Sequence, residues 1–213
     1  MSLTRVLVLL TILAPLALAQ NDDQTYHDVT ISFGNLDIDE DAGRFLAIMN
    51  DMNSGVTTQP TFFDMSEEVL RLTETMHLGK HFAVSGRFGS FGESTIQTQN
   101  IPTNEDETAT TYTLRARFLN LEMEAVGKLP LFGGNLVAYA GVGANFNSTR
   151  FTLRDETAAT ERGAKKTGLV GVYSAGLYSV IAKKFVLRLD YTKSKLQQVD
   201  TTTTTLGIGF RYQ

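Results

Sequence analysis

The chain contains no cysteine among its 213 residues. No disulfide can staple the fold, and no acylated cysteine can anchor it. Beyond residue 20 no run approaches the ~20 apolar residues of a spanning helix, so helical membrane crossing is excluded. Positive charge is not in excess: the formal net charge is −4, which is no profile for a nucleic-acid partner. Histidine is scarce, at three residues. These absences leave one membrane class open. A strand that crosses a bilayer alternates apolar and polar side chains, and so dilutes the hydropathy signal.

The first 20 residues read apart from the rest. Arg5 supplies a basic start, Val6 to Leu13 an apolar stretch, and Ala17-Leu18-Ala19 a small-x-small cleavage site. The expectation is a cleaved signal peptide over 1–19 and one domain over 20–213. Arg5 is the only charged residue among the first 20, so its loss moves the formal charge from −4 to −5. An exported chain without disulfides needs a large core or a closed sheet.

The C-terminal stretch shows the pattern most clearly. Leu206, Ile208, Phe210 and Tyr212 share one parity; Gly207, Gly209 and Arg211 share the other. Strand side chains alternate faces, so one face is apolar and the other small or charged. In a soluble sandwich the apolar face meets a core. In a membrane barrel it meets lipid, with aromatics at the interface. This strand alone fits both.

Seven more segments share its character. Val29 to Gly34 alternates cleanly. Val69 to Leu78 and Phe82 to Phe91 flank a tight turn at Gly79-Lys80-His81. Tyr112 to Lys128 and Asn135 to Leu153 flank a turn at Leu129 to Gly134. Thr167 to Ile181 and Phe185 to Lys193 flank Ala182-Lys183-Lys184, and Thr202 to Tyr212 closes the set. Residues 37–66, 93–110 and 154–166 are polar and charged and read as long loops, with a shorter one from Leu196 to Thr201. Within the first, Arg44 to Met49 fits a short strand or helix. Both termini and all short turns fall at one end, and the long loops at the other, as in bacterial outer-membrane barrels. Several segments exceed the ~5–6 residues of globular strands and match the ~9–11 of a tilted membrane strand. The expected fold is all-β: an eight-stranded antiparallel up-and-down transmembrane β-barrel with long outer loops and short periplasmic turns.

The charges obey the same parity. Glu122, Glu124, Arg188, Asp190 and Arg211 lie on one face of their strands, opposite aliphatic and aromatic residues. An eight-stranded barrel has an interior just wide enough for side chains, where these five are candidates for ion pairs. Arg115 and Arg117 share a parity with Leu119 and Leu121. They are placed at headgroup level, as candidates to contact lipid or lipopolysaccharide, because a lipid-facing Arg at mid-bilayer costs roughly 2–4 kcal/mol. The segment from Val69 breaks the pattern. Glu74 shares a parity with Leu70, Leu72, Met76 and Leu78, with Arg71 and His77 opposite, so a bulge or an early strand start is expected there.

Gly176-Leu177-Tyr178, then Phe185-Val186-Leu187-Arg188-Leu189-Asp190-Tyr191, then Gly207-Ile208-Gly209-Phe210-Arg211-Tyr212 resembles the closing strands of the outer membrane protein A-like transmembrane barrels. Tyr139 to Phe146 is a weaker echo. The resemblance implies the bacterial outer membrane, with its lipid and lipopolysaccharide as surroundings. It implies insertion by the barrel-assembly machinery through a C-terminal aromatic signal, here Leu206, Ile208, Phe210 and Tyr212; Gln213 after the aromatic departs from the pattern. It also implies a barrel domain without the family's peptidoglycan-binding domain, since nothing follows the last strand.

Other motifs are weak. Asp37, Asp39 and Asp41 have calcium-loop spacing, but Ala42 and Ile48 stand where that loop wants Gly and Glu. A solvated acidic loop is the simpler reading, and no metal or other cofactor is expected. His77 and His81 flank a turn and lack a third ligand. All three histidines fall near the periplasmic end, which argues against an enzyme acting on outer-leaflet lipid. Three functions stay open: a structural or surface-interaction barrel working through its long loops in adhesion or with an envelope protein partner, its lumen plugged by ion pairs; a narrow pore; or a soluble periplasmic lipocalin-like binder whose apolar face lines a cavity.

Overall fold

The computed structural model describes residues 25–38, 47–48, 51–52, 58–64, 67–100, 110–196 and 199–213. The expected signal peptide lies outside the described residues. Among the described residues nine strands are present: β1 (Tyr26–Ile38), β2 (Thr58–Asp64), β3 (Glu67–Leu78), β4 (Phe82–Asn100), β5 (Thr111–Leu131), β6 (Leu136–Asp155), β7 (Thr160–Ile181), β8 (Phe185–Leu196) and β9 (Val199–Tyr212). All neighbouring pairs are antiparallel. β1 pairs with β3 and β9, β4 pairs with β3 and β5, and the ladder continues through β6, β7 and β8 to β9. First strand meets last, so the sheet closes; toward the loop end residues 160–172 of β7 pair with β6 alone.

β2 and β3 share one place in the ring. β2 pairs with residues 95–100 of β4, and β3 with residues 82–91. The ring therefore has eight positions. Its stagger can be read from the register. From Ile31 one route passes Leu72, Phe88 and Leu121 to Phe146. The other passes Ile208, Leu187 and Ser179 to Leu136, ten residues away on β6. Such a stagger forces the strands to tilt, typically by about 35–45°.

Burial alternates as the sequence pattern demands. β8 switches between exposed and buried over all twelve residues. Ile31, Leu121, Leu189, Ile208 and Phe210 point outward, while Thr30, Glu122, Asp190 and Thr205 point into the lumen. The soluble-binder reading is overturned by this: its apolar face lines no cavity but coats the exterior.

The end where β1 begins and β9 finishes carries the tight turns, and we call it the turn end. Gly79 adopts φ +73° there, a conformation glycine takes without steric cost. Ala182 and Lys183 take positive φ with side chains (51° and 62°), and Lys184 N–H bonds Ile181 O at 3.2 Å. Two successive residues at positive φ match the right-handed twist of the flanking strands.

The opposite, loop end differs from expectation. Of the residues read as loops, Asp37, Ile38, 58–64, 93–100, 154–155, 160–166, Leu196 and 199–201 are strand. β6 and β7 run on to a four-residue connection, and β8 and β9 to a two-residue one. The polar composition of 154–166 suggested a loop, yet the ladder between β6 and β7 persists to Asp155↔Thr160. Ala47 and Ile48 are helical; the rest of Arg44 to Met49 lies outside the described residues. β3 starts early, at Glu67 and not at Val69, and contains no bulge, since its register with β1 and β4 is continuous. Arg71 and His77 point into a polar lumen that accepts them, and the one-residue offset falls before β3, between the Asp64↔Thr95 and Val69↔Phe91 pairs.

Candidate functional site

Halfway along the lumen six ionic side chains from four strands converge. Arg87 on β4 donates from Nη1 to Glu124 Oε1 at 2.6 Å and from Nη2 to Ser174 Oγ at 3.2 Å. It also lies 3.6 Å from Glu122 Oε2 and 3.6 Å from Asp190 Oδ1. Arg71 on β3 sits 3.5 Å from Glu122 and donates to Thr192 Oγ1 at 3.1 Å. Arg188 on β8 grips both oxygens of Asp190, at 2.8 and 3.0 Å, and donates to Thr75 and to the Tyr139 hydroxyl. Tyr139 donates in turn to Asp190, and Ser174 to Glu124. Three guanidinium groups face three carboxylates, all buried. Gly176 leaves room for this arrangement, because a Cβ there would collide with the Tyr139 ring.

A second cluster ties the seam between first and last strands. On the inner face Asp28 of β1 accepts two bonds from Arg211 of β9, at 2.7 and 2.8 Å. It accepts a third from His77 Nε2 of β3, also 2.7 Å. Lys128 Nζ lies 3.0 Å from His77 Nδ1 and donates to Gly79 O at 2.7 Å. With Nδ1 accepting from an ammonium, the proton of the neutral ring sits on Nε2 and points at Asp28. On the outer face the next residues repeat the tie. His27 Nδ1 is 3.2 Å from Glu74 Oε1, stacks on Tyr212, and Tyr212 donates to the same oxygen at 3.3 Å. Glu74 is thereby met by polar partners on an otherwise apolar wall.

Toward the loop end the lumen turns apolar. Leu36, Ile38, Val69, Phe91, Ile96, Leu114, Phe118, Phe151, Leu153 and Leu196 form a buried cluster, joined by Ile48 and Met52. The outer face changes in the opposite sense. On β5 Leu119, Leu121 and Met123 are exposed beside buried Asn120, Glu122 and Glu124; a few residues on, Arg115 and Arg117 are exposed beside buried Leu114, Ala116 and Phe118. The same exchange occurs on β1 between Phe33 and Asn35, on β6 between Phe146 and Arg150, and on β8 between Tyr191 and Lys193. Below this ring the wall is greasy outside and polar inside; above it the wall follows the rule of a soluble protein.

Of the five lumen candidates from the sequence, Glu122, Glu124, Arg188 and Asp190 come together, while Arg211 is in the seam cluster. Arg71, Arg87, Asp28, His77 and Lys128 are the partners that sequence reading left unassigned. Their parity was the available signal, since Asp28 shares a face with Thr30 and Ser32. Arg115 and Arg117 are exposed above the ring, both paired with Glu93, at 3.4 and 2.6 Å. Leu206, Ile208, Phe210 and Tyr212 form the exposed face of β9. Asp37 lies on β1 and faces outward; Asp39 and Asp41 lie outside the described residues. Among the described residues no group of three or more His, Asp or Glu is placed to hold a metal.

A family model described as outer membrane protein beta-barrel domain matches residues 6–213. Among solved structures the chain is similar to Ail, the attachment invasion locus protein of Yersinia pestis, with TM-score 0.54 and 16% identity over 89% of this chain and 99% of that one. It is also similar to the outer membrane protein OprG of Pseudomonas aeruginosa, with TM-score 0.48 and 10% identity over 89% and 95%. The N-terminal barrel domain of OprF from the same organism gives TM-score 0.46 and 11% identity over 87% and 97%. No curated protein matches the sequence.

Proposed function

From the premise that the chain belongs to the outer membrane protein β-barrel family and resides in the bacterial outer membrane, we propose that it is a plugged barrel that serves as a structural and surface-interaction element, not as a channel or an enzyme. The observation that carries this reading is the Arg87 cluster. It fills the lumen with six mutually paired ionic groups contributed by β3, β4, β5 and β8. An eight-stranded interior leaves little space beyond such side chains. The apolar cluster at the loop end closes the same lumen a second time. What remains for contact with the outside is the β-structured rim above the ring and the segments between its strands, in adhesion or with an envelope partner. The outward face of β9, Leu206 to Tyr212, is the aromatic signal offered to the assembly machinery. Planar-bilayer recording of the purified protein tests the proposal. It predicts no steady conductance; a stable conductance altered by Arg188→Gln overturns it.

One observation favours a narrow pore as the second reading. The hydroxyls of Thr30, Ser32, Thr73 and Thr205 are buried in the lumen wall without protein partners, a surface suited to water. Under that reading the same recording shows a small conductance that Thr73→Val diminishes.

A further inference from the structure

Resting on the outer-membrane reading, we propose that the wall around Glu74 is the interface of a dimer within the membrane, in which the Glu74 carboxylate of each copy accepts a hydrogen bond from His27 of the other. Along β3 the outward positions run Glu68, Leu70, Leu72, Glu74, Met76 and Leu78. Leu70 and Leu78 stand four residues to either side of Glu74, roughly 13 Å along the strand. The carboxylate therefore lies in the middle of the hydrocarbon-facing stretch. Around it Ile31 and Phe33 on β1 and Phe82 and Phe88 on β4 expose apolar side chains. Among the described residues no other acidic side chain faces outward between the ring where the wall changes character and the turn end. An ionisable group at membrane depth is costly unless a partner meets it.

The chain's own groups meet only half of it. His27 Nδ1 and the Tyr212 hydroxyl both approach Oε1, at 3.2 and 3.3 Å. Among the described residues the second oxygen of Glu74 and Nε2 of His27 have no hydrogen-bond partner, and the two side chains are 58% and 28% exposed. The patch thus presents one acceptor and one donor, side by side, toward the acyl chains. With both ring nitrogens donating, His27 is an imidazolium beside a Glu74 carboxylate. The patch of each copy is then neutral as a whole.

A second copy is the occupant this pattern fits. A two-fold axis along the membrane normal sets a patch against itself and leaves its depth unchanged. Donor comes level with acceptor on both sides at once, so Nε2–H of each His27 meets Oε2 of the partner's Glu74. Acyl chains offer neither group. A segment of another membrane protein would have to carry the same donor and acceptor at the same spacing and depth. The surface also admits a close neighbour. Gly86 on β4 pairs directly with Glu74, and a Cβ there would meet nothing. The wall is shallow beside the carboxylate, and small residues let two membrane surfaces approach closely.

The test uses the full chain in lipid vesicles, labelled through a single cysteine (Lys183→Cys) with donor dye on half the copies and acceptor dye on the rest. Energy transfer is followed as protein is diluted into lipid. Transfer is expected to persist at dilutions where Glu74→Leu has lost it, a weakening of association by at least about tenfold. Glu74→Leu copies mixed with His27→Phe copies are expected to prefer the mixed pair, since one His27–Glu74 bond survives there and none in either homodimer. A role of the pair within one chain alone gives no such preference. In the otherwise unaltered chain, Gly86→Cys is expected to form a disulfide between copies on oxidation, and Leu177→Cys, on the opposite wall, to form none. Equal transfer in the parent chain and Glu74→Leu overturns the proposal, as does a mixture without preference or a disulfide at 177 in place of 86. If Glu74→Leu does not fold, the disulfide comparison decides alone. A chain that enters vesicles as a monomer at every dilution refutes the dimer and leaves the barrel reading standing. A chain that stays soluble without lipid or detergent refutes both.

Discussion

The lumen near the middle of the barrel and the lumen near the loop end are lined by opposite kinds of side chain. In the middle, Arg71, Arg87 and Arg188 are paired with Glu122, Glu124 and Asp190. At the loop end, Phe91, Ile96, Leu114, Phe118 and Phe151 pack without charge. The exterior is reversed in step, Leu121 and Phe146 giving way to Arg117 and Arg150. One continuous ladder carries both regimes, so the backbone does not distinguish them. The solvent outside does. Where hydrocarbon surrounds the wall, apolar groups gain nothing by turning inward, and the lumen can hold polar groups that satisfy one another. Where water surrounds it, burial of apolar area again stabilises at about 25 cal/mol per Å².

The comparison can be broken most sharply in the middle. Arg87→Met leaves Glu122, Glu124 and Asp190 buried with less positive charge among them. Removing one partner of a buried ionic cluster is expected to destabilise by about 3–5 kcal/mol, read as a lower urea midpoint for heat-modifiable electrophoretic mobility in lipid vesicles. At the loop end Leu114→Ala creates a cavity instead. The expected loss is about 3 kcal/mol, and unlike Arg87→Met it should not depend on salt or pH.

The exterior sharpens the contrast. Leu121→Arg places a cation against acyl chains and is expected to cost about 2 kcal/mol, while Arg117→Leu, in the water-facing regime, should change stability by no more than about 0.5 kcal/mol. Equal effects at the two positions would remove the boundary drawn between them. An effect of opposite sign belongs to the turn end, which lies in neither regime. Ala182→Asn with Lys183→Gly relieves two side-chain-bearing residues at positive φ and is expected to raise stability by about 1 kcal/mol.

Much of this was legible in the chain because a period of two is a local signal. The parity of Leu189 against Asp190, or of Leu121 against Glu122, needs no knowledge of neighbours. The strand ends were not legible for the same reason. Residues 160–166, with Glu161, Arg162, Lys165 and Lys166, carry loop-like composition, and only pairing with β6 holds them extended. Asp28 was missed because the first segment was begun at Val29, one residue too late to bring it into the seam. Arg71 and His77 looked like faults in a strand until Glu122 and Asp28 were found opposite them. Which cation meets which carboxylate is a property of the closed ring, and the ring is built from contacts far apart in sequence.

The absence of cysteine makes the central claim directly measurable. Single cysteines at 114, 117, 121 and 122 on β5, each spin-labelled in the protein reconstituted in lipid bilayers, report contact with oxygen, which concentrates in hydrocarbon, and with a water-soluble nickel chelate. The account predicts high oxygen contact at 121, high nickel contact at 117, and little of either at 114 and 122. Nickel contact at 121, or oxygen contact at 122 exceeding that at 121, would contradict it.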